Sequence, residues 1–355
     1  MKKKIVFVDG NLNTGGAERI FCTLVRNIDR VKFEVEVIIT GKPGKMCELL
    51  PDSIKVVYFN ISRSRYACFA LAKYLKKSKP DVIFSVSYNS AFAVLLAKFL
   101  CRGKFRISVR HCLMPQQMIR EKFIKPKSFM FKINRWLMSK LDCIIAEHKY
   151  MAEEVLEVYK LNPSKVSYAL NPLDELLINN QINTKSFSFP ENQINIVAAG
   201  RINREKGFDF LVSAFSLVVR VDARFHLYII GENIGNNQHQ LEEIAKKNNC
   251  MKNIHFEGFQ QNPYKYFNAA DLFVLSSRWE ASPNVIFENL YLGKRIVATN
   301  CSPILKDVMG SNGVLVEWEN EDAMKDAILN YADYSPRIQK YYSLEEFYSQ
   351  IIGDR

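Results

Sequence analysis

Two carboxylates and two cations offer the chemistry that can be read first. Glu280 and Glu288 lie in the stretch WEASPNVIFENLYLGK. The apolar run 272–275 before it reads as a buried parallel strand. Ser282-Pro283 reads as an N-cap and first helical residue, and the helix from Asn284 ends near Gly293. Glu280 then occupies a loop at a strand's carboxyl end, and Glu288 lies about one turn inside the helix. Both can face the crevice where open α/β sheets take ligands. Carboxylates so placed suit the hydroxyls of a sugar, and the free N–H groups of Asn284 and Val285 at the helix start suit a phosphate. Arg201 and Lys206, in AAGRINREKGF, fall at another strand end and in the next helical turn. Two cations converging on a sheet's carboxyl edge can neutralise a diphosphate leaving group, although each could be a solvated surface charge.

Weaker signals sit on the same edges. Gly231-Glu232-Asn233 and Gly258-Phe259 end two further strands, and their loops could hold a nucleobase and ribose, through Glu232 and Phe259. GNLNTGGAER, residues 10–19, joins a first strand to its helix. Gly15 and Gly16 let backbone N–H groups approach a ligand there, with a tight strand–helix turn as the alternative. No GxGxxG or Walker pattern supports dinucleotide or ATP binding. His111, in SVRHC, follows a strand and points to the sheet's carboxyl edge, and Arg110 beside it is an equally good anion ligand. No DxD occurs, so nothing offers a ready clamp between a metal and a diphosphate.

Positioning such groups takes parallel sheets, and apolar runs alternate with helical patterns throughout the chain. Strands are expected at residues 4–9, 33–40, 54–59, 81–85, 105–109, 142–146 and 166–170. A second set is expected at 194–200, 224–230, 253–257, 272–275, 295–298 and 313–316. Residues 175–192, polar and rich in Asn and Ser, read as a linker. The 355 residues suffice for two sizeable cores, and a 48% apolar share argues against disorder. The expected class is α/β, two doubly wound Rossmann-like domains.

Charge is uneven. Residues 1–185 carry 32 Lys/Arg against 16 Asp/Glu, and the remainder 17 against 21. Within 98–140 stand twelve basic residues and one acid, Glu121, interleaved with Phe99, Phe105, Phe123, Phe129, Phe131 and Trp136. Such a surface fits anionic lipid headgroups. No nucleic-acid-binding motif accompanies it, and a solvated basic face is the plain alternative. The eight cysteines form neither C-x-x-C nor a zinc-spaced cluster and read as reduced thiols of a cytoplasmic protein. Asp9 interrupts the first apolar run too early for a signal peptide, and no run is long enough to span a membrane.

GGAER, GRINREKGF, GEN, GFQQNP and WEASPNVIFENLYLGKRIVAT, in that order and spacing, resemble the retaining glycosyltransferases of family 4, with the GT-B fold, of the bacterial surface-polysaccharide type. The resemblance extends to NPLD, SNGVLV and a final helix around YSLEEFY. It implies an acceptor-side domain at 1–174 with a C-terminal helix, 336–355, packing back onto it, and a donor domain at 193–335, the two facing each other across a cleft. Arg201 and Lys206 match the pair that holds the donor diphosphate, Glu288 the glutamate that binds ribose, and Glu280 the one that contacts the donor sugar. Gly16 matches the loop beside the phosphates, and His111 the first-domain histidine near the reacting centre. The resemblance further implies transfer, with retention, from a UDP- or GDP-linked sugar to a lipid-linked or glycan acceptor, without metal, at the inner face of the cytoplasmic membrane. Ala281 stands where the family usually has glycine, ENLY replaces the commoner EAL-A, and CSPILKDVM lacks the usual glycine-rich turn; these departures bear on sugar specificity. A GT-B nucleotide-sugar epimerase and a non-catalytic nucleotide-sugar-binding or scaffold protein are the competing readings.

Overall fold

The structure, a computed structural model, describes residues 2–13, 15–61, 66–183 and 187–353. The chain forms two compact units, residues 1–174 with 342–355, and residues 175–341.

In the first unit the strands are β1 (Lys3–Asp9), β2 (Phe33–Ile39), β3 (Lys55–Tyr58), β4 (Val82–Ser85), β5 (Arg106–His111), β6 (Cys143–Ala146) and β7 (Val166–Tyr168). All pair in parallel, in the order β3-β2-β1-β4-β5-β6-β7. The helices are α1 (Gly16–Asn27), α2 (Ala67–Ser78), α3 (Tyr88–Cys101), α4 (Pro115–Arg120), α5 (Phe129–Ser139) and α6 (Lys149–Tyr159). Buried on both faces, such strands must be apolar throughout, and Ile5, Val6, Phe7 and Val8 of β1 are fully buried. Phe7 packs edge-to-face on Phe21 and Phe84 at 5.6 and 5.7 Å.

The second unit begins with α7 (Glu175–Asn183). Its strands are β8 (Ile194–Ala199), β9 (Phe225–Ile230), β10 (Ile254–Gly258), β11 (Leu272–Leu275), β12 (Ile296–Thr299) and β13 (Gly313–Val316), parallel in the order β10-β9-β8-β11-β12-β13. Its other helices are α8 (Phe208–Val221), α9 (Asn237–Lys247), α10 (Tyr264–Ala269), α11 (Asn284–Tyr291), α12 (Ile304–Val308) and α13 (Glu321–Leu329). The last helix, α14 (Leu344–Ile352), belongs to the first unit. There Phe347 is fully buried, Tyr348 Oη donates to Leu24 O at 2.6 Å, and Ser108 Oγ donates to Ile351 O at 2.7 Å.

Each expected strand is present, shifted at its ends by at most two residues. Three local expectations need correction. The segment 175–192 is not all irregular, because Ile178 is buried and Asn179 and Tyr291 exchange side-chain hydrogen bonds that hold α7 in place; residues 184–186 lie outside the described set. Helix α11 starts at Asn284 as expected, but Pro283, with an extended ψ of 102°, occupies the cap position in place of Ser282. Within the described part of 336–355, residues 336–353, the final helix covers Leu344–Ile352, and residues up to Tyr341 stay with the second unit.

Candidate functional site

In the second unit β8 and β11 are neighbours, and the connections leaving them run to opposite sides of the sheet. Their carboxyl ends therefore flank the switch point, where an open parallel sheet leaves a crevice. After β8 come Gly200 and Arg201, the latter exposed. Asn203 Oδ1 then accepts from Lys206 N at 3.2 Å, capping the short turn Arg204–Lys206. After β11 comes the loop carrying Ser277 and Glu280.

The structure brings Lys206 and Glu280 into direct contact. Lys206 Nζ donates to Glu280 Oε1, with Glu205 Oε1 3.6 Å away. The Lys206 and Glu280 side chains are only 18% and 10% exposed. Ser277 Oγ donates to the same Glu280 oxygen at 2.8 Å. Burial pulls the Lys206 pKa down, but the charges of Glu280 and Glu205 outweigh it and hold the ammonium above its ordinary value. Burial pushes the Glu205 carboxyl up, partly offset by Lys206. Burial, reinforced by Glu280, pushes the Cys301 thiol up to about 12, so it stays protonated. Strand β12 supports the loop: Thr299 Oγ1 donates to Ser277 O at 2.6 Å, and Glu280 N donates to Cys301 O at 3.0 Å.

The neighbouring loops arrive as expected at this edge. Ile202 N donates to Glu232 O at 2.9 Å, tying the Glu232 loop to the residue after Arg201. Phe259, 41% exposed, follows β10. Asn284 and Val285 form the first turn of α11. Ser282 carries no cap bond; its hydroxyl is buried and has no hydrogen-bond partner among the described residues. Glu288 is 2% exposed, and its Oε1 accepts from Tyr264 Oη at 3.1 Å. Sequence reasoning missed Ser277, Thr299 and Tyr264. The first two had a usable signal, polar residues at the ends of buried runs; Tyr264 follows the Asn262-Pro263 helix start.

In the first unit β5 extends through His111, which pairs with Ala146 instead of lying beyond the strand. His111 is 2% exposed, with Nδ1 2.7 Å from Tyr88 Oη. Burial pulls its pKa down to about 4, so the imidazole is neutral near pH 7. Arg110 is not an available anion ligand: it is 1% exposed, donates to Glu147 Oε1 at 2.9 Å, and stacks on Phe347 at 5.3 Å. Gly15 caps α1 without a side chain, and Gly16 opens the helix; Thr14 lies outside the described residues.

The His111 shift has a testable consequence. An unfolded histidine protonates near its ordinary 6.5 and the folded one near 4, so this group's stabilisation is full above pH 6.5 and is lost as pH falls toward 4. His111→Gln should therefore lessen the loss of thermal stability between pH 6.5 and 4. Identical pH slopes for the two proteins would contradict the neutral buried imidazole.

Residues 98–140 place Phe123, Phe129, Met130 and Trp136 at 73%, 77%, 62% and 56% exposure among the exposed cations Lys122, Lys125, Lys127, Lys132, Arg135 and Lys140. Phe105 and Phe131 of this stretch are instead buried in the core. No described helix is long and apolar enough to cross a membrane. All eight cysteines are free, four of them buried. Among the described residues no group of three or more His, Cys, Asp or Glu is placed to hold a metal ion.

Two family models match the chain, "Glycosyltransferase Family 4" over residues 14–175 and "Glycosyl transferases group 1" over 193–333. A Campylobacter jejuni protein, the N-acetylgalactosamine-N,N'-diacetylbacillosaminyl-diphospho-undecaprenol 4-alpha-N-acetylgalactosaminyltransferase, is 25% identical over 91% of this chain and 88% of its own length. Among solved structures, Anabaena Alr3699/HepE in complex with UDP and glucose superposes with a TM-score of 0.74, at 16% identity, over 99% of this chain and 95% of that one. The lipopolysaccharide outer core galactosyltransferase WaaB, in its apo form, gives 0.70 at 16% identity over 99% and 100%. With both halves matched by glycosyltransferase families on two Rossmann-like units, the chain is a glycosyltransferase of the GT-B fold that resembles family 4.

Proposed function

We propose that the protein transfers a sugar from a nucleotide-sugar donor, UDP- or GDP-linked, to a lipid-linked or glycan acceptor with retention of configuration, in bacterial surface-polysaccharide synthesis. The observation that carries this reading is the meeting of Lys206 and Glu280 at the β8/β11 switch point, with Glu288 one turn into the adjoining helix α11. The C. jejuni relative's name, an N-acetylgalactosaminyltransferase acting on a diphospho-undecaprenol-linked sugar, favours a hexosyl or N-acetylhexosaminyl donor and a lipid-linked acceptor.

In this reading Arg201 and Lys206 neutralise the charge that grows on the departing diphosphate, the electrostatic contribution usually largest in catalysis. The first N–H groups of α11, from Asn284 and Val285, meet a phosphate oxygen. Glu280 contacts the donor sugar, Glu288 the ribose, and Glu232 and Phe259 border the nucleobase. The acceptor oxygen bonds to the anomeric carbon on the face the diphosphate leaves, and its proton passes to the leaving phosphate. The backbone N–H groups of Gly15 and Gly16, at the start of α1, can donate to a phosphate. His111, neutral, serves as a hydrogen-bonding group and not as a counter-charge. The donor is a substrate, and no metal cofactor is required.

The two glutamates give the test. Glu288→Gln should weaken both UDP and the intact donor by about tenfold, the scale of a charge-assisted hydrogen bond. Glu280→Gln should weaken or slow the UDP-sugar while leaving UDP affinity within about twofold. Calorimetry with UDP and GDP, beside turnover of a panel of UDP- and GDP-sugars, reads both. Equal losses of nucleotide affinity in the two variants would remove these assignments, and absence of turnover with every donor would remove the activity.

The basic face at 98–140 fits an anionic membrane surface, because its exposed aromatics can enter the headgroup region while the surrounding lysines meet phosphate. Replacing Lys122, Lys125 and Lys127 by Ser should weaken binding to anionic vesicles by a few kcal/mol at most, about 1 kcal/mol per cation. Co-sedimentation with anionic and neutral vesicles at two salt concentrations decides this. Absent or salt-independent binding would reduce the patch to a solvated face.

A further inference from the structure

Four contacts join the turn after β8 to the loop after β11, besides the Lys206–Glu280 pair. Ser276 Oγ donates to Lys206 O at 2.9 Å. Arg278 N donates to Glu205 O at 2.8 Å, and Arg278 Nη1 to Arg204 O at 2.5 Å. The Arg204 guanidinium lies 5.3 Å over the Trp279 ring. Two of the four belong to Arg278, and its guanidinium makes a further pair of bonds. Nη1 and Nη2 reach Asp209 Oδ1 and Oδ2 at 2.9 and 2.5 Å, a fork-to-fork pair, and the guanidinium lies 4.3 Å over the Trp318 ring. The side chain is 17% exposed. Asp209 is in the first turn of α8, three residues after Lys206, and Arg278 is two residues before Glu280. One planar cation thus ties the Lys206 turn, the start of α8 and the Glu280 loop to a single point.

We propose that Arg278 is a positioning residue of the donor site, fixing the Arg204–Lys206 turn against the loop 276–280 so that Lys206 and Glu280 meet, while touching no substrate itself. This rests on the reading of Lys206 as the diphosphate cation. Burial pushes the Asp209 carboxyl up, but Arg278 outweighs it and holds it below its ordinary value, as a lasting ion pair requires. A lysine at 278 would keep the charge but could not serve two carboxylate oxygens and a carbonyl in one plane.

The test compares Arg278→Gln, Arg278→Lys, Lys206→Ala and the double variant Arg278→Gln/Lys206→Ala, each as the full chain. Two quantities are measured: UDP affinity by calorimetry, and the acetylation rate of the Lys206 amine at mildly alkaline pH by peptide mass spectrometry. An amine released from its carboxylate partners loses its raised pKa, so Arg278→Gln should speed Lys206 acetylation by about tenfold. It should also weaken UDP by about tenfold, with Arg278→Lys close behind. If Arg278 acts through Lys206, adding Arg278→Gln to Lys206→Ala should cost no more than about twofold further in UDP affinity. Unchanged Lys206 acetylation in folded Arg278→Gln protein overturns the proposal, and so does a full additional loss in the double variant. Unchanged UDP affinity in Lys206→Ala overturns instead the diphosphate reading, and the acetylation rate alone then decides the role of Arg278. Should Arg278→Gln fail to fold, Asp209→Asn loosens the same fork: faster Lys206 acetylation supports the proposal, and an unchanged rate overturns it.

Discussion

Lys206→Ala is expected to cut sugar-transfer turnover by about a hundred-fold or more, on the order of 3 kcal/mol, as for the loss of one preorganised donor to a developing negative charge. The same change should lower stability. Without the ammonium, Glu280 keeps, among the described residues, Ser277 as its side-chain hydrogen-bond donor while its side chain is 10% exposed, and an underpaired covered carboxylate costs about 1–3 kcal/mol. Arg201→Ala separates the two effects. Arg201 is exposed, so its removal should reduce turnover comparably and leave the melting temperature nearly unchanged. Adding Glu280→Gln to Lys206→Ala removes the stranded charge and should restore most of the stability but none of the turnover. Near-normal turnover in either single variant would end that residue's assignment. A double variant no more stable than Lys206→Ala would show that the loss came from packing, not charge.

How much of this was legible depended on sequence distance. Parallel strands buried on both faces are apolar runs closed by polar turns, and their carboxyl ends were marked by Gly200-Arg201, Gly231-Glu232 and Gly258-Phe259. Lys206 and Glu280 could therefore be placed on one edge before any coordinates. Their direct pairing could not, because it depends on how closely the turns after β8 and β11 approach across 74 residues of chain. Arg110 shows the opposite failure. It looked like an anion ligand beside His111, but its partner Glu147 stands 37 residues on, just past β6, where the first-unit sheet brings it alongside. Helix α7 was hidden by composition: ELLINNQIN buries only Ile178, and bonds such as Asn262 Nδ2 to Gln181 O, 2.8 Å, hold it from outside. Local pattern reports elements well, whereas charges paired across the chain need the topology.

Gly207→Ala should be among the most damaging single-methyl changes in the second unit. Gly207 has φ +62°, in the left-handed region that costs an L residue about 1–2 kcal/mol. A Cβ there would lie 2.1 Å from Ser276 O and 2.9 Å from the Trp318 ring. Neither neighbour can yield freely: Ser276 lies in the loop that leads to Glu280, its own hydroxyl bonded to Lys206 O, and Trp318 is held between Arg278 and Phe210. The turn must instead move away from the β11 loop, parting Lys206 from Glu280. The expected loss is about 3 kcal/mol or more, the range of clashes added to backbone strain. At roughly 2–4 °C per kcal/mol for a unit of this size, that is a drop of about 10 °C, accompanied by reduced turnover. Gly235→Ala is the control, with φ +68° but no atom within 4 Å of the added Cβ, so it pays the backbone strain alone. If Gly207→Ala melts no lower than Gly235→Ala, the close approach of the two loops contributes nothing, and the seating of Lys206 against Glu280 must come from elsewhere.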